Sequence, residues 1–196
     1  MMGAAAMRID LAGQTTLFAG ATNPVSAALR DRLEQEGTRI LSDGVPDLLL
    51  LTAPLQDAPD FDWDALAGFA RSTGAAMQAR GAGRIVFLLP ACAALAVRRQ
   101  PDLSMRAAGL LALMRNLAMS LAPDVAVNAA GLGAIAAGDL VSGDAEMIGH
   151  ASVGRAGTLD EACAVALFLC DPANTYLTGQ FLSADGGWSA GYGRNF

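Results

Sequence analysis

One side chain in this sequence titrates near neutral pH unaided, His150, the only histidine present. Asp139, Asp144 and Glu146 precede it closely. An imidazole among carboxylates can serve as a general acid or base, although a lone histidine in a polar loop is more often a solvated surface group. The other inventory is short. All 13 basic side chains are arginine, so there is no lysine, and the only tyrosines are Tyr176 and Tyr192. Without lysine there is no Schiff base, no phosphate-binding P-loop and no tyrosine–lysine proton relay. Cys92, Cys163 and Cys170 are scattered without CxxC spacing, which suits small buried hydrophobes better than a metal or redox site.

The elements that must hold such groups come next. A chain of 196 residues, 53% hydrophobic and only 16% charged, fits one domain better than two. Its net charge of −6 argues against a nucleic-acid or anionic-membrane partner, since both need clustered cations. Arg115 and Asn116 interrupt the greasiest segment, Ala107–Ala122, so no transmembrane span is expected. Met1–Met7 carry no arginine-led apolar stretch and are expected to be an extension outside the fold, so a cytoplasmic location is expected.

Strands and helices alternate. Thr15–Ala19, Leu48–Ala53, Arg84–Leu89, Val125–Ala129 and Gln180–Ser183 predict strands, and Leu48–Ala53 is apolar throughout, as a strand buried on both faces must be. Val25–Glu36, Trp63–Arg80, Leu103–Leu121 and Thr158–Cys170 predict helices, with Gly37 and Gly81 as stops and Thr158-Leu159-Asp160-Glu161 as a capping box. The order predicts an α/β fold with a mostly parallel sheet of 5–6 strands and helices on both faces.

At this point the chain resembles the short-chain dehydrogenase/reductase family. The blocks Gly154-Arg155-Ala156-Gly157-Thr158, Ala166-Leu167-Phe168-Leu169, Tyr176-Leu177-Thr178-Gly179-Gln180 and Asp185-Gly186-Gly187-Trp188 carry the likeness. Leu11-Ala12-Gly13-Gln14, Gly83-Arg84-Ile85-Val86 and Val127-Asn128-Ala129 extend it upstream. The resemblance implies a Rossmann-like fold, a nicotinamide dinucleotide and a Ser–Tyr–Lys catalytic set.

The family's glycine-rich turn falls on Ala19-Gly20-Ala21-Thr22-Asn23-Pro24-Val25-Ser26, where only Gly20 survives and Pro24 and Ser26 replace glycine. Pro24 has no N–H for a phosphate; Asn23 and Pro24 make an ordinary helix start instead. Asp43, where a ribose-binding acid is expected, also reads simply as part of a Ser-Asp-Gly turn. The family's catalytic serine, tyrosine and lysine fall on Pro90, Leu103 and Ala107, its NNAG motif on Leu51-Thr52-Ala53-Pro54 and its helix asparagine near Phe69-Ala70. Arg106 cannot stand in for the lysine, because a guanidinium does not give up a proton. The family also spaces its second and fourth strands by two crossovers, roughly 30 residues or more per βαβ unit. Here only Ser42–Asp47 intervene, so the third-strand region is expected to be missing and Thr38–Leu41 to be a short edge element or irregular.

The expected cofactor content is therefore none in this chain, with no metal, and NAD(P) in a partner. The chain resembles in type the inactive subunits of heteromeric members such as (hydroxybenzyl)succinyl-CoA dehydrogenase. The expected partner is an active paralogue in a hetero-oligomer, a heterotetramer. In the family, helices corresponding to Trp63–Arg80 and Leu103–Leu121 form one subunit contact and the last helix and strand a second. The leucines and methionines of Leu103–Leu121 exceed one apolar stripe. Trp63, Phe69, Leu103, Leu110, Leu111, Met114, Leu117 and Phe168 are expected at such contacts, with Trp188, Tyr192 and Phe196 as an arm on a neighbour. The alternatives are a divergent enzyme using His150 and its carboxylates without nicotinamide, or a small-molecule sensor with a cavity bounded by Pro90, Leu103 and Ala107.

Overall fold

Leu48–Leu51 and Ile85–Leu89 have no polar side chain, and in the computed structural model each of these residues is 1% exposed or less. Strands this apolar must be covered on both faces. The structure describes residues 9–138, 140–143 and 145–191. Met1–Met7, Asp139, Asp144, Tyr192 and Phe196 therefore lie outside the described residues.

The elements run β1 (Thr15–Gly20), α1 (Pro24–Gln35), β2 (Arg39–Leu41), β3 (Leu48–Thr52), α2 (Trp63–Arg80), β4 (Gly83–Pro90), α3 (Pro101–Ser120), β5 (Val125–Leu132), β6 (Ile135–Ala137), β7 (Leu140–Ser142), β8 (Gly157–Thr158), α4 (Leu159–Cys170), β9 (Phe181–Ala184) and α5 (Trp188–Gly191). Six strands form one parallel sheet in the order β2-β1-β3-β4-β5-β9. The two-residue alternation of a strand divides the core. Leu49, Leu51, Ile85, Phe87 and Val127 pack with α2 and α3, while Leu48, Leu50, Val86, Leu88 and Ala130 pack with α1 and α4.

Among the described residues no strand lies beyond β2 on that edge of the sheet, and the expected short edge element is β2 itself, which pairs with β1 only from Thr15↔Arg39 to Leu17↔Leu41. Its brevity explains how six residues can cross to β3. Leu41 ends level with Leu17 and Leu48 begins level with Thr16, so the chain returns by one residue and shifts by two strand spacings, about 10 Å in all. Asp47 holds the landing: its Oδ2 accepts from the Thr15 amide at 2.9 Å and the Thr15 hydroxyl at 2.8 Å. Arg80, at the end of α2, donates to the Val45 and Pro46 carbonyls and lies 3.2 Å from Asp47 Oδ1.

The segment after β5, expected as a loop, contains a second small sheet, β7-β6-β8, and a 3-10 turn at Ala145–His150. Strands of two or three residues leave no hydrophobic period to find. The Thr158–Glu161 capping box is present, with the Thr158 side chain accepting from the Glu161 amide at 3.1 Å. Among the described residues, no helix is long and apolar enough to cross a membrane.

Candidate functional site

In open parallel sheets ligands bind at the carboxyl ends of the strands, where the order reverses. Here that reversal lies between β1 and β3, above Gly20 and Thr52, their last residues. Gly20 has φ +102°, and a Cβ there would sit 2.2 Å from the Thr52 carbonyl oxygen. The one surviving glycine is thus required by packing between strands.

The next residues make a tight helix start. Asn23 Oδ1 accepts from the Ser26 amide and Ser26 Oγ accepts from the Asn23 amide, both at 3.0 Å. The Ala21 amide donates to the Thr52 carbonyl at 2.8 Å, and Ala27 closes the first helical bond onto Asn23. Pro24 has no N–H to offer. Asn23 Nδ2 is buried with no hydrogen-bond partner among the described residues. Beside this turn is a cleft of about 480 Å³ reaching Gln56 and Phe61. Gln56 Nε2 donates to the Val141 and Gly143 carbonyls, each at 3.1 Å, and so ties its wall to the small sheet. Asp43 is exposed in the bend after β2.

Pro90 ends β4 beside Leu132 and is buried. Leu103 and Ala107, one turn apart on α3, are 2% and 0% exposed and pack in the cluster that holds Phe87, Leu89 and Cys92. These positions therefore present no proton donor or acceptor on their side chains. Ser104 beside them is already occupied, its Oγ accepting from the Val97 amide at 3.0 Å. Arg106 is exposed, off the buried face of the helix.

Polar side chains gather elsewhere. Arg98, Arg99, Glu146 and His150 line a cleft of about 390 Å³ with Met147 and Trp188 as its apolar part. The structure thus brings His150 and Glu146 together, with Arg99 ion-paired to Glu146. Sequence reasoning missed Arg98 and Arg99; an adjacent arginine pair in so weakly charged a chain was the available signal. Among the described residues no group of His, Cys, Asp and Glu could hold a metal ion. The three cysteines are buried thiols, and burial pushes the Cys170 thiol up to about 12.

Residues 52–189 match the family model described as enoyl-(acyl carrier protein) reductase. The chain belongs to the short-chain dehydrogenase/reductase family. It is 30% identical over 120 residues to a tropinone reductase homolog of Arabidopsis thaliana, a match that covers 58% of this chain and 46% of that protein. The chain thus spans about half the length of that curated relative. Its fold is similar to that of a protein named as an NAD(P)-dependent gluconate 5-dehydrogenase from Beutenbergia cavernae, with TM-score 0.79 and 23% identity over 93% of this chain and 99% of that one. L-Sorbose reductase from Gluconobacter frateurii, complexed with NADPH and L-sorbose, has TM-score 0.75 and 18% identity over 93% and 98%. At these identities the likeness is one of fold.

Within a short-chain dehydrogenase/reductase fold the glycine turn would receive the dinucleotide pyrophosphate on backbone donors. The residues here do not fit that group. Ala21, Asn23 and Ser26 direct their amides to the chain itself, Pro24 has none, and β2 stops before it can flank the far end of β1. What the family likeness retains holds the C-terminal half together. Buried Asn128 donates to the Leu177 carbonyl at 2.8 Å and accepts from the Gln180 amide, and the Gly179 amide reaches the Val127 carbonyl at 2.7 Å.

The expected contact residues need correction. Trp63, Leu103, Leu110, Leu111, Met114 and Leu117 are 0–6% exposed in their own chain, so they have almost no surface left for a partner, and Trp188, 3% exposed, shows only an edge, into the cleft beside Arg98. Their spacing is the core-facing stripe of each helix. Phe168 is partly buried against the α1–α4 side of the core, and Phe69 is 37% exposed on α2. The outward stripe of α3 runs through Met105, Ala108, Gly109, Ala112, Asn116 and Met119, all exposed, with Met105 and Met119 at 63% and 74% and Arg115 on its border. On neighbouring α2 the exposed residues Ala65, Gly68, Phe69, Ser72, Ala75 and Ala79 form a second such stripe.

Proposed function

We propose that this chain is a non-catalytic short-chain dehydrogenase/reductase subunit that assembles with a catalytically active member of the same family in a hetero-oligomeric NAD(P)-dependent oxidoreductase. A heterotetramer, with the dinucleotide in the active partner, is the form this takes. The observation that carries it is the apolar packing at Pro90, Leu103 and Ala107, the positions that the family resemblance gives to its catalytic serine, tyrosine and lysine. Hydride transfer to a carbonyl needs a proton donor and an oxyanion-stabilising group beside the reacting carbon; neither can come from proline, leucine or alanine. The self-capped start of α1 supports the same assignment on the cofactor side.

The partner half rests on the outward stripes of α2 and α3. Large exposed apolar side chains such as Phe69, Met105 and Met119, alternating with small residues that let helices approach closely, favour a helical neighbour over solvent. Co-expression with an active paralogue tests both halves. A stoichiometric complex whose dinucleotide and turnover require only the paralogue's tyrosine and lysine is the expected result. Redox turnover by this chain alone would overturn it, as would its purification as a monomer from cells making both proteins.

A further inference from the structure

We propose that the cleft between the loop at Ala96–Arg99 and the 3-10 turn Ala145–His150 binds a small organic carboxylate with an apolar body. The chain carries a net charge of −6, yet among the described residues this cleft is lined by two guanidinium groups and an imidazole against one carboxylate. Glu146 is ion-paired with Arg99. Arg98 forms no ion pair among the described residues, so an entering anion meets a guanidinium without first displacing a carboxylate. Guanidinium groups bind carboxylates through paired, charge-assisted hydrogen bonds.

The other half of the cleft is apolar and fixed. Met147 and Trp188 are 6% and 3% exposed and pack with Ala91 and Ala134 in a small cluster separate from the main core. Trp188 follows two glycines at φ +65° and +84°, and Asp185 clamps the turn by accepting from the Gly187 and Ser189 amides at 3.0 and 3.1 Å. A Cβ on Gly187 would stand 3.0 Å from Ser152 Oγ, so the turn sits close against its neighbour. The indole is therefore placed before any ligand arrives. Ala96 and Val97, with the edges of Met147 and Trp188 behind them, face the guanidinium groups across a cleft of about 390 Å³, the composition of a site for a small amphipathic acid. Pro90, Leu103 and Ala107 do not line it. The site goes beyond the subunit role, since a chain that docks on a partner and one that does not would both carry it.

Benzoate, hexanoate and the neutral isostere benzamide, titrated into the full chain and followed by tryptophan fluorescence and melting temperature, test the proposal. The two carboxylates should bind saturably, raise the melting temperature and weaken with added salt, while benzamide should not bind. Arg98→Leu should weaken benzoate binding about tenfold or more, the loss of one charge-assisted hydrogen bond. Arg98→Gln, which keeps the polarity of the position, should do the same should the leucine variant fold poorly. No saturable response to either acid, an equal response to benzamide, or unchanged affinity in both Arg98 variants would overturn the assignment.

Discussion

Asn23 and Ser26 answer each other across the first turn of α1, each side chain accepting the other's backbone amide at 3.0 Å. A turn that in a dinucleotide-binding fold leaves its amides for a phosphate here closes on itself. The cap stabilises the helix and takes up the Asn23 and Ser26 amides, two of the donors that a phosphate would use there.

Removing the cap should therefore cost stability. Asn23→Ala is expected to lower the unfolding free energy by about 1 kcal/mol, and Asn23→Gly by only a few tenths. Urea denaturation of the two variants against the parent chain measures the difference as a shift in midpoint.

The crossover from β2 to β3 depends on Asp47 more than on Arg80. Both side chains of the ion pair are more than a third exposed, so the pair itself is worth at most about 1 kcal/mol. Asp47 also satisfies the part-buried amide and hydroxyl of Thr15. Asp47→Ala should thus cost about 1–3 kcal/mol, since it leaves the Thr15 donors unmet. Arg80→Met should cost clearly less, and equal losses in denaturant titrations would contradict this order.

Much of the fold was legible in residues that obey one rule at a time. Leu48–Leu51 is too apolar to be anything but a doubly covered strand, and Thr158 and Glu161 fix a helix start locally. The short β2 was legible from the six residues that follow it. What the sequence hid was phase and distance. Counting leucines and methionines on α3 shows a surplus, but Leu103, Leu110, Met114 and Leu117 face the core while Met105 and Met119 face out. Only the turn-by-turn spacing separates the two sets. The cleft of Arg98, Glu146 and Trp188 joins three segments far apart in the chain, with no local pattern to announce it.

That division of α3 has a direct test. Leu110→Ala should cost about 2–5 kcal/mol, because a buried methylene cluster is replaced by a cavity. Met119→Glu should change stability by no more than about 0.5 kcal/mol, and should block assembly with an active partner. Thermal unfolding of both variants, with co-purification for the second, checks the contrast.

Acid should expose the Arg155–Glu161 contact. Hydrogen bonds from Arg155, at 2.7 and 2.9 Å, and from the Thr158 amide hold the Glu161 carboxyl down to about 2, from an ordinary 4.5. The stabilisation is present above the unfolded value and is lost as the pH falls from about 4.5 through about 2. Melting temperature followed over that window should fall less steeply in Glu161→Gln than in the parent chain.

Calorimetric titration of the purified chain with NADH and with NADPH bears most directly on the central claim. No saturable heat from either nucleotide is the expected result, because Asn23, Pro24 and Ser26 leave the pyrophosphate without its cradle. Saturable one-to-one binding that is lost on mutating Thr22 or Ser26 would contradict it.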